Sequence, residues 1–309
     1  MSVKSRAYSA AILVAIIIGL SFMFVKISLQ FATPLDALAH RFSIAFMGMT
    51  LFMASTGISL GAVRSGVKKI VFLAAFYPVM FFGFQAFGMQ TVSSAEAGII
   101  QAAVPVFTLM LSALWLKETS SLKQKLAIGL SVLGVVYIML MNGAGSSGFL
   151  LAGMILILLS VMSQSVYQVL TRKLTRNVSV LLITYVSTLV GFLVFNAASL
   201  TQHVLNGTIT AFFQPFSHAD YTFATLYLGI LSTLVTSYLT AYALSVLPAF
   251  QMSVFGNLTI VITMAAGMIF LQEPLYGYHY IGALMIILGV IGANTARVKE
   301  SQTLVPIIK

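Results

Sequence analysis

The chain has 309 residues, 60% hydrophobic and 7% charged, with mean hydropathy +1.04 and formal net charge +10. Soluble domains carry about 25% charged residues, so this chain cannot clothe itself in a polar surface, and lipid must be its solvent. Its basic residues sit mostly in short loops between apolar runs, which fits membrane topology and not nucleic acid, and the absence of Cys excludes a disulfide framework or a thiolate-held metal.

Ten apolar runs follow one another at 8–30, 35–56, 68–89, 95–116, 124–141, 149–170, 179–199, 222–245, 250–271 and 277–295. Each approaches the ~20 residues that a helix needs to cross a bilayer. The fold class is an all-α polytopic membrane protein with ten transmembrane helices. Lys4 and Arg6 precede the first run, which is too long for a cleaved signal and reads as an uncleaved span. The 200–221 connection is the longest and has room for a small interfacial helix.

Charge orients the spans. Lys4 and Arg6, Arg64, Lys68 and Lys69, Lys117, Lys123 and Lys125, Arg172, Lys173 and Arg176, and Arg297, Lys299 and Lys309 all fall on one side. The positive-inside rule places both termini in the cytoplasm, in a cell membrane, as an even number of spans requires. Lys26 and Arg41 are the two basic residues inside spans.

The two halves repeat. SAEAGIIQAAVPVFTLMLSALWLKET (94–119) parallels AFQMSVFGNLTIVITMAAGMIFLQEP (249–274). Glu118 aligns with Glu273, and Gly134 with Gly289, at a common offset of 155. Spans 4 and 9 run in opposite directions, so the halves, 1–142 and 148–297, form two inverted five-helix repeats. Such repeats mark secondary transporters, with a site near the midplane between them.

The ordered motifs resemble the drug/metabolite transporter superfamily, of the type with two EamA domains. I-G-L-S-F-M-F-V-K (18–26) is similar to the family's W-G-x-x-F-x-x-x-K, with Ile18 for Trp. L-A-H-R-F (38–42), T-V-S-S-A-E-A (91–97) and V-P-V-F (104–107) follow in the family's order. Leu116–Glu118 and Leu271–Glu273 resemble its L-G-E, with Lys117 and Gln272 for Gly, and Ile260 stands where a proline is usual in the ninth span. The resemblance covers essentially the whole chain. It implies a carrier of small metabolites, often an exporter of amino acids or toxic analogues.

The candidate substrate-binding residues are Lys26, Arg41, Gln85, Gln101, Gln164, Gln168, Tyr238, Tyr242 and Asn257. Lys26 lies roughly 27 Å along the first span and Arg41 roughly 9 Å into the second at the helical rise, both in the outer half. Arg41 shares a face with Ala37, Ala45 and Gly48, small residues that suit close packing. It is expected to pair with Glu96, while Lys26 snorkels; the alternative is that one cation holds a substrate carboxylate. Glu118 and Glu273 are expected to be structural groups at the interface, able to cap the helices that follow them. Pro105 cannot return a hydrogen bond to the carbonyl of Gln101. Pro78, Phe82 and Gln85 share a face, and the pairs Gln164/Gln168 and Tyr238/Tyr242 are spaced i, i+4. Together these neutral amides and phenols could hold an amino or carboxylate group.

The expected function is a secondary transporter moving a small amphipathic metabolite by alternating access, with export favoured over import. A lipid-head-group translocase is the alternative. An enzyme would need a clustered constellation of catalytic residues, and no such cluster, nucleotide motif or cofactor signature is present. The expected partners are the small-molecule substrate and membrane lipid, not nucleic acid, and no oligomeric state is specified.

Overall fold

A computed structural model describes residues 2–56, 67–116, 121–143, 148–249, 252 and 255–295. Arg64, Lys117, Glu118, Arg297, Lys299 and Lys309 lie outside the described residues, as does most of the predicted start of the ninth span. Among the described residues every regular element is helical.

The helices are α1 (Val3–Leu29), α2 (Pro34–Thr56), α3 (Val67–Gly88), α4 in two parts (Ser94–Gln101 and Val104–Leu116) and α5 (Leu122–Gly143). The second half supplies α6 (Gly148–Leu174), α7 (Val180–Asn206), α8 (Ala219–Val246), α9 (Gly256–Phe270) and α10 (Gly277–Thr295). Seven of these are long and apolar enough to span a bilayer; α5, α9 and α10 carry shorter apolar stretches.

Local chemistry sets the ends. Ser2 Oγ accepts from Ser5 N–H to start α1 at Val3, earlier than the apolar run suggested. Thr33 Oγ1 accepts from Asp36 N–H, and Pro34 opens α2, where its missing N–H costs nothing. α7 runs on to Asn206 and stops at Gly207, whose φ of 65° a side chain would resist. The expected interfacial helix at 200–221 is therefore replaced by the end of α7, two 3₁₀ turns (Ile209–Ala211 and Gln214–Ser217) and the start of α8.

Packing follows the sequence repeat. Under exchange of α1–α5 with α6–α10, the α1/α9 contact maps onto α6/α4, α1/α8 onto α6/α3, and α2/α8 onto α7/α3. The pairs α2/α7, α4/α9 and α5/α10 map onto themselves. The α5/α10 seam carries the symmetry to individual residues. A Cβ on Gly134 would lie 2.9 Å from the Gly282 carbonyl oxygen, and one on Gly289 would lie 2.6 Å from that of Ala127. Gly289 is the offset-155 partner of Gly134, and Gly282 that of Ala127. Ser131 Oγ adds a 3.0 Å bond to the Ile286 carbonyl, so backbone meets backbone along the seam.

α8 contains a π-helical stretch, Tyr227–Val235, whereas α3, its counterpart in the repeat, is kinked at Tyr77, whose φ of −144° and ψ of 110° are not helical. Wide turns of this kind are often found at functional sites. In α8 the Thr233 hydroxyl donates to the Leu228 carbonyl five residues back, at 2.8 Å.

Candidate functional site

The break in α4 shapes the middle of the molecule. Ala102 and Ala103 close three-residue turns onto Ile99 and Ile100, at 3.1 and 3.0 Å, and Pro105 follows two residues later. Gln101 thus ends one helical part, with its side chain facing α6. Its amide N–H donates to Gln164 Oε1. Gln101 and Gln168 are 6% and 4% exposed, and among the described residues the Oε1 atom of each has no hydrogen-bond partner. These three glutamines line a small cleft with Ala11, Ala15 and Thr259. Thr259 Oγ1 and Thr263 Oγ1 donate to the carbonyls of Ala15 and Gly19, at 3.2 and 2.9 Å, fastening α9 to α1. The cleft is therefore bounded by the broken helix α4, its neighbour α6, and α1 and α9 from the two repeats.

The other candidates separate from this cleft. Tyr238 is 40% exposed and Tyr242 packs in the α1/α8 apolar cluster; neither lines the cleft. Asn257 follows Gly256, which does line it, but its side chain lies outside the described residues. Gln85 and Arg41 line a second cavity, near the end of α1 and the start of α2. Lys26 is half-buried, and the charges acting on it are Glu273 and Glu96.

Two expected contacts are corrected. Arg41 does not pair with Glu96. Its Nε donates to Thr233 Oγ1 at 2.6 Å, its Nη2 to Ser232 Oγ at 3.0 Å and the Ser232 carbonyl at 3.3 Å, and its guanidinium lies 4.1 Å from the Phe82 ring centre. Helix rotation turns Arg41 toward the π stretch of α8 and leaves Glu96 at the start of α4. There Glu96 Oε2 accepts from Ser93 N–H at 2.8 Å, and Ser93 Oγ accepts from Glu96 N–H at 3.1 Å, a reciprocal capping box. Glu273 does not cap the helix that follows it. Because α9 ends where α4 begins, its carboxylate accepts from Ser94 N–H, Ser94 Oγ and Ala95 N–H, at 2.8, 2.7 and 3.1 Å.

Sequence reasoning also missed a buried polar group beneath the α7–α8 connection. Asp36, 5% exposed, accepts from Ser199 Oγ and lies 2.9 Å from His203 Nε2. Beside it, His40 Nδ1 bonds the Tyr221 hydroxyl at 2.6 Å, and Phe212 and Phe216 pack on its ring. Asp36 beside Pro34 reads simply as a helix-start acid. Its position within an apolar span was the available signal for more. Among the described residues, no group of three or more His, Asp or Glu is placed to hold a metal.

The fold and the two polar cavities define a helical membrane protein whose halves pack as related repeats around a polar centre. A profile of the EamA-like transporter family matches residues 5–140 and 151–295. The chain is 45% identical over 299 residues to Uncharacterized transporter YcxC of Bacillus subtilis (strain 168), covering 97% of this chain and 96% of that one. It is 25% identical over 285 residues to a protein of Escherichia coli (strain K12) named Probable amino-acid metabolite efflux pump, covering 91% and 92%. A solved crystal structure shares the fold at TM-score 0.65 and 16% identity, over 96% of this chain and 98% of that one. The chain belongs to the EamA family, with two copies of the family's domain, and is a multi-pass membrane transporter.

Proposed function

We propose that this transporter exports a small amphipathic metabolite of the amino-acid class by alternating access, with the α1/α4/α6/α9 cleft as its central site. The observation that carries the reading is the pair of buried, unpartnered amide oxygens on Gln101 and Gln168, facing one cleft beside the break in α4. Buried acceptors without partners are costly, and an ammonium group entering the cleft would satisfy them. Discontinuous helices hold substrate in other carriers built from inverted repeats. The name of the Escherichia coli relative agrees with this class of cargo. The one-sided Lys and Arg distribution supports cytoplasmic termini, and export in this reading proceeds toward the side that carries the α7–α8 connection.

The test uses proteoliposomes and a panel of amino acids, nucleosides and short-chain acids, with and without a pH gradient. Flux of an amine-bearing substrate is expected, with Gln101→Leu and Gln168→Leu suppressing it at unchanged membrane abundance. Normal flux in both variants would place the site elsewhere. Ser217 is exposed in the α7–α8 connection, and the chain has no Cys. Ser217→Cys should therefore react with an impermeant thiol reagent on intact cells. Reaction only after lysis would invert the orientation.

A further inference from the structure

The helices around the central cleft meet unevenly along their length. α1 and α9 run in the same direction, since Ala15 and Gly19 meet Thr259 and Thr263 in that order. The cleft lies between the first half of α1, the start of α9 and the break in α4. Toward the other end the same helices close on one another. A Cβ on Gly19 would lie 2.7 Å from Ile262 Cβ, one on Gly98 2.7 Å from Thr263 Cβ, and one on Gly267 2.7 Å from Ser94 Oγ. Small residues thus bring α9 against both α1 and α4. Beyond them the Glu273 carboxylate clasps the start of α4 through Ser94 and Ala95. That end also carries the α7–α8 connection, for Phe31, just past α1, stacks on His218 at 4.6 Å.

The repeat specifies what the opposite end should hold. Exchange of the halves maps α1/α9 onto α6/α4 and turns α4 and α9 end for end. Thr263 then corresponds to Thr108, at the offset of 155. Thr263 Oγ1 donates to the Gly19 carbonyl of α1 at 2.9 Å. Thr108 is fully buried, and among the described residues its hydroxyl has no hydrogen-bond partner. One hydroxyl of the pair is bonded and its counterpart is not. A carrier built from inverted repeats changes state by rocking one repeat against the other about a fixed site. Contacts made at one end are then exchanged for their counterparts at the other.

We infer that the clasped ends of α4 and α9 are the gate on the side of the α7–α8 connection, closed in this structure, and that Thr108 bonds a carbonyl of α6 when that gate opens. The inference rests on the alternating-access reading and names one gate of its route. Glu273 and Thr263 hold the closed state, and Thr108 favours the open one. Substitutions at the two related threonines therefore act in opposite directions, which helix packing alone would not produce.

The test is thiol accessibility, which needs no substrate. Ala15 lines the cleft, and Ala15→Cys gives the chain a single thiol. Its reaction with an impermeant methanethiosulfonate is timed in right-side-out and inside-out vesicles. Ser217→Cys identifies the preparation that presents the α7–α8 connection. From that side the thiol should react slowly. Glu273→Gln should speed the reaction at least about tenfold, because several hydrogen bonds to a charged acceptor weaken together. Thr263→Val should speed it roughly fivefold, and Thr108→Val added to Thr263→Val should slow it again by a similar factor. Tyr238→Phe, away from these contacts, should leave it unchanged. If Glu273→Gln does not fold, the two threonines read the same gate. Equal rates in all folded variants, or a change of the same sign at both threonines, overturns the inference. Opposite responses at the threonines with no flux of any substrate would leave the gate standing and sink the transport reading. Flux with equal rates would do the reverse.

Discussion

The start of α4 and the middle of α2 both draw charge out of water, and they do so in opposite ways. At α4, two carboxylates meet donors that the helix start already offers. Glu96 and Glu273 together take the N–H groups of Ser93, Ser94 and Ala95. His279 Nδ1 accepts from Tyr276 N–H at 3.0 Å, so its proton sits on Nε2, which faces Glu96 Oε1 at 3.4 Å. The cluster ties α4, α9 and α10 together. In α2, Arg41 is held by neutral groups and one of its donors is unspent. Burial of a charge therefore does not by itself mark a binding site. The difference lies in whether the protein has already answered the charge.

Thermal unfolding in detergent can break this comparison. Glu273→Leu leaves Ser94 N–H, Ala95 N–H and the Ser94 hydroxyl without their acceptor, and should cost about 2–3 kcal/mol. An unchanged midpoint would show that the carboxylate is not structural. Gly267→Ala is the sharper probe of the same contact. Its new Cβ would lie 2.6 Å from Glu273 Oε2 and 2.7 Å from Ser94 Oγ, so the cap must shift. A loss of roughly 1–2 kcal/mol is expected; none would mean that the carboxylate has slack. Arg41→Gln should change stability least, by under about 1 kcal/mol, because no carboxylate is orphaned. A loss as large as that of Glu273→Leu would erase the distinction and make Arg41 a structural residue.

Much of the architecture was legible because lipid imposes it. Apolar runs mark where the described helices lie, although α1 starts five residues before its run and α7 ends seven residues after its own, and the 155-residue offset joins Gly134 to Gly289 before any contact is known. Gln101, Gln164 and Gln168 were legible as polar residues within spans, by i, i+4 spacing and a nearby proline, but nothing in one dimension separated them from Tyr238, Tyr242 and Gln85. What failed depends on rotation and on neighbours distant in the chain. Whether Arg41 meets Glu96 or Thr233 turns on which face of α2 meets α8, and a span's hydropathy does not report that. Tyr238 and Gln168 look equally polar in a run of apolar letters, yet one is 40% exposed and the other 4%. The folding of residues 207–218 over His40 had no periodic signal at all, since turns carry none.

The π stretch of α8 has one more consequence. A wide turn holds one residue more than an α turn, and each residue advances the helix by about 100°. If that turn moves along the helix, the residues it passes rotate by one such step while both ends of α8 stay where they are. Thr233 lies within the stretch and holds Arg41 Nε. A slip of the turn would thus swing the hydroxyl off the guanidinium with no displacement of the helix as a body. In mechanical terms, Arg41 would then be fastened to a part of α8 that turns inside its own length, not to a fixed wall.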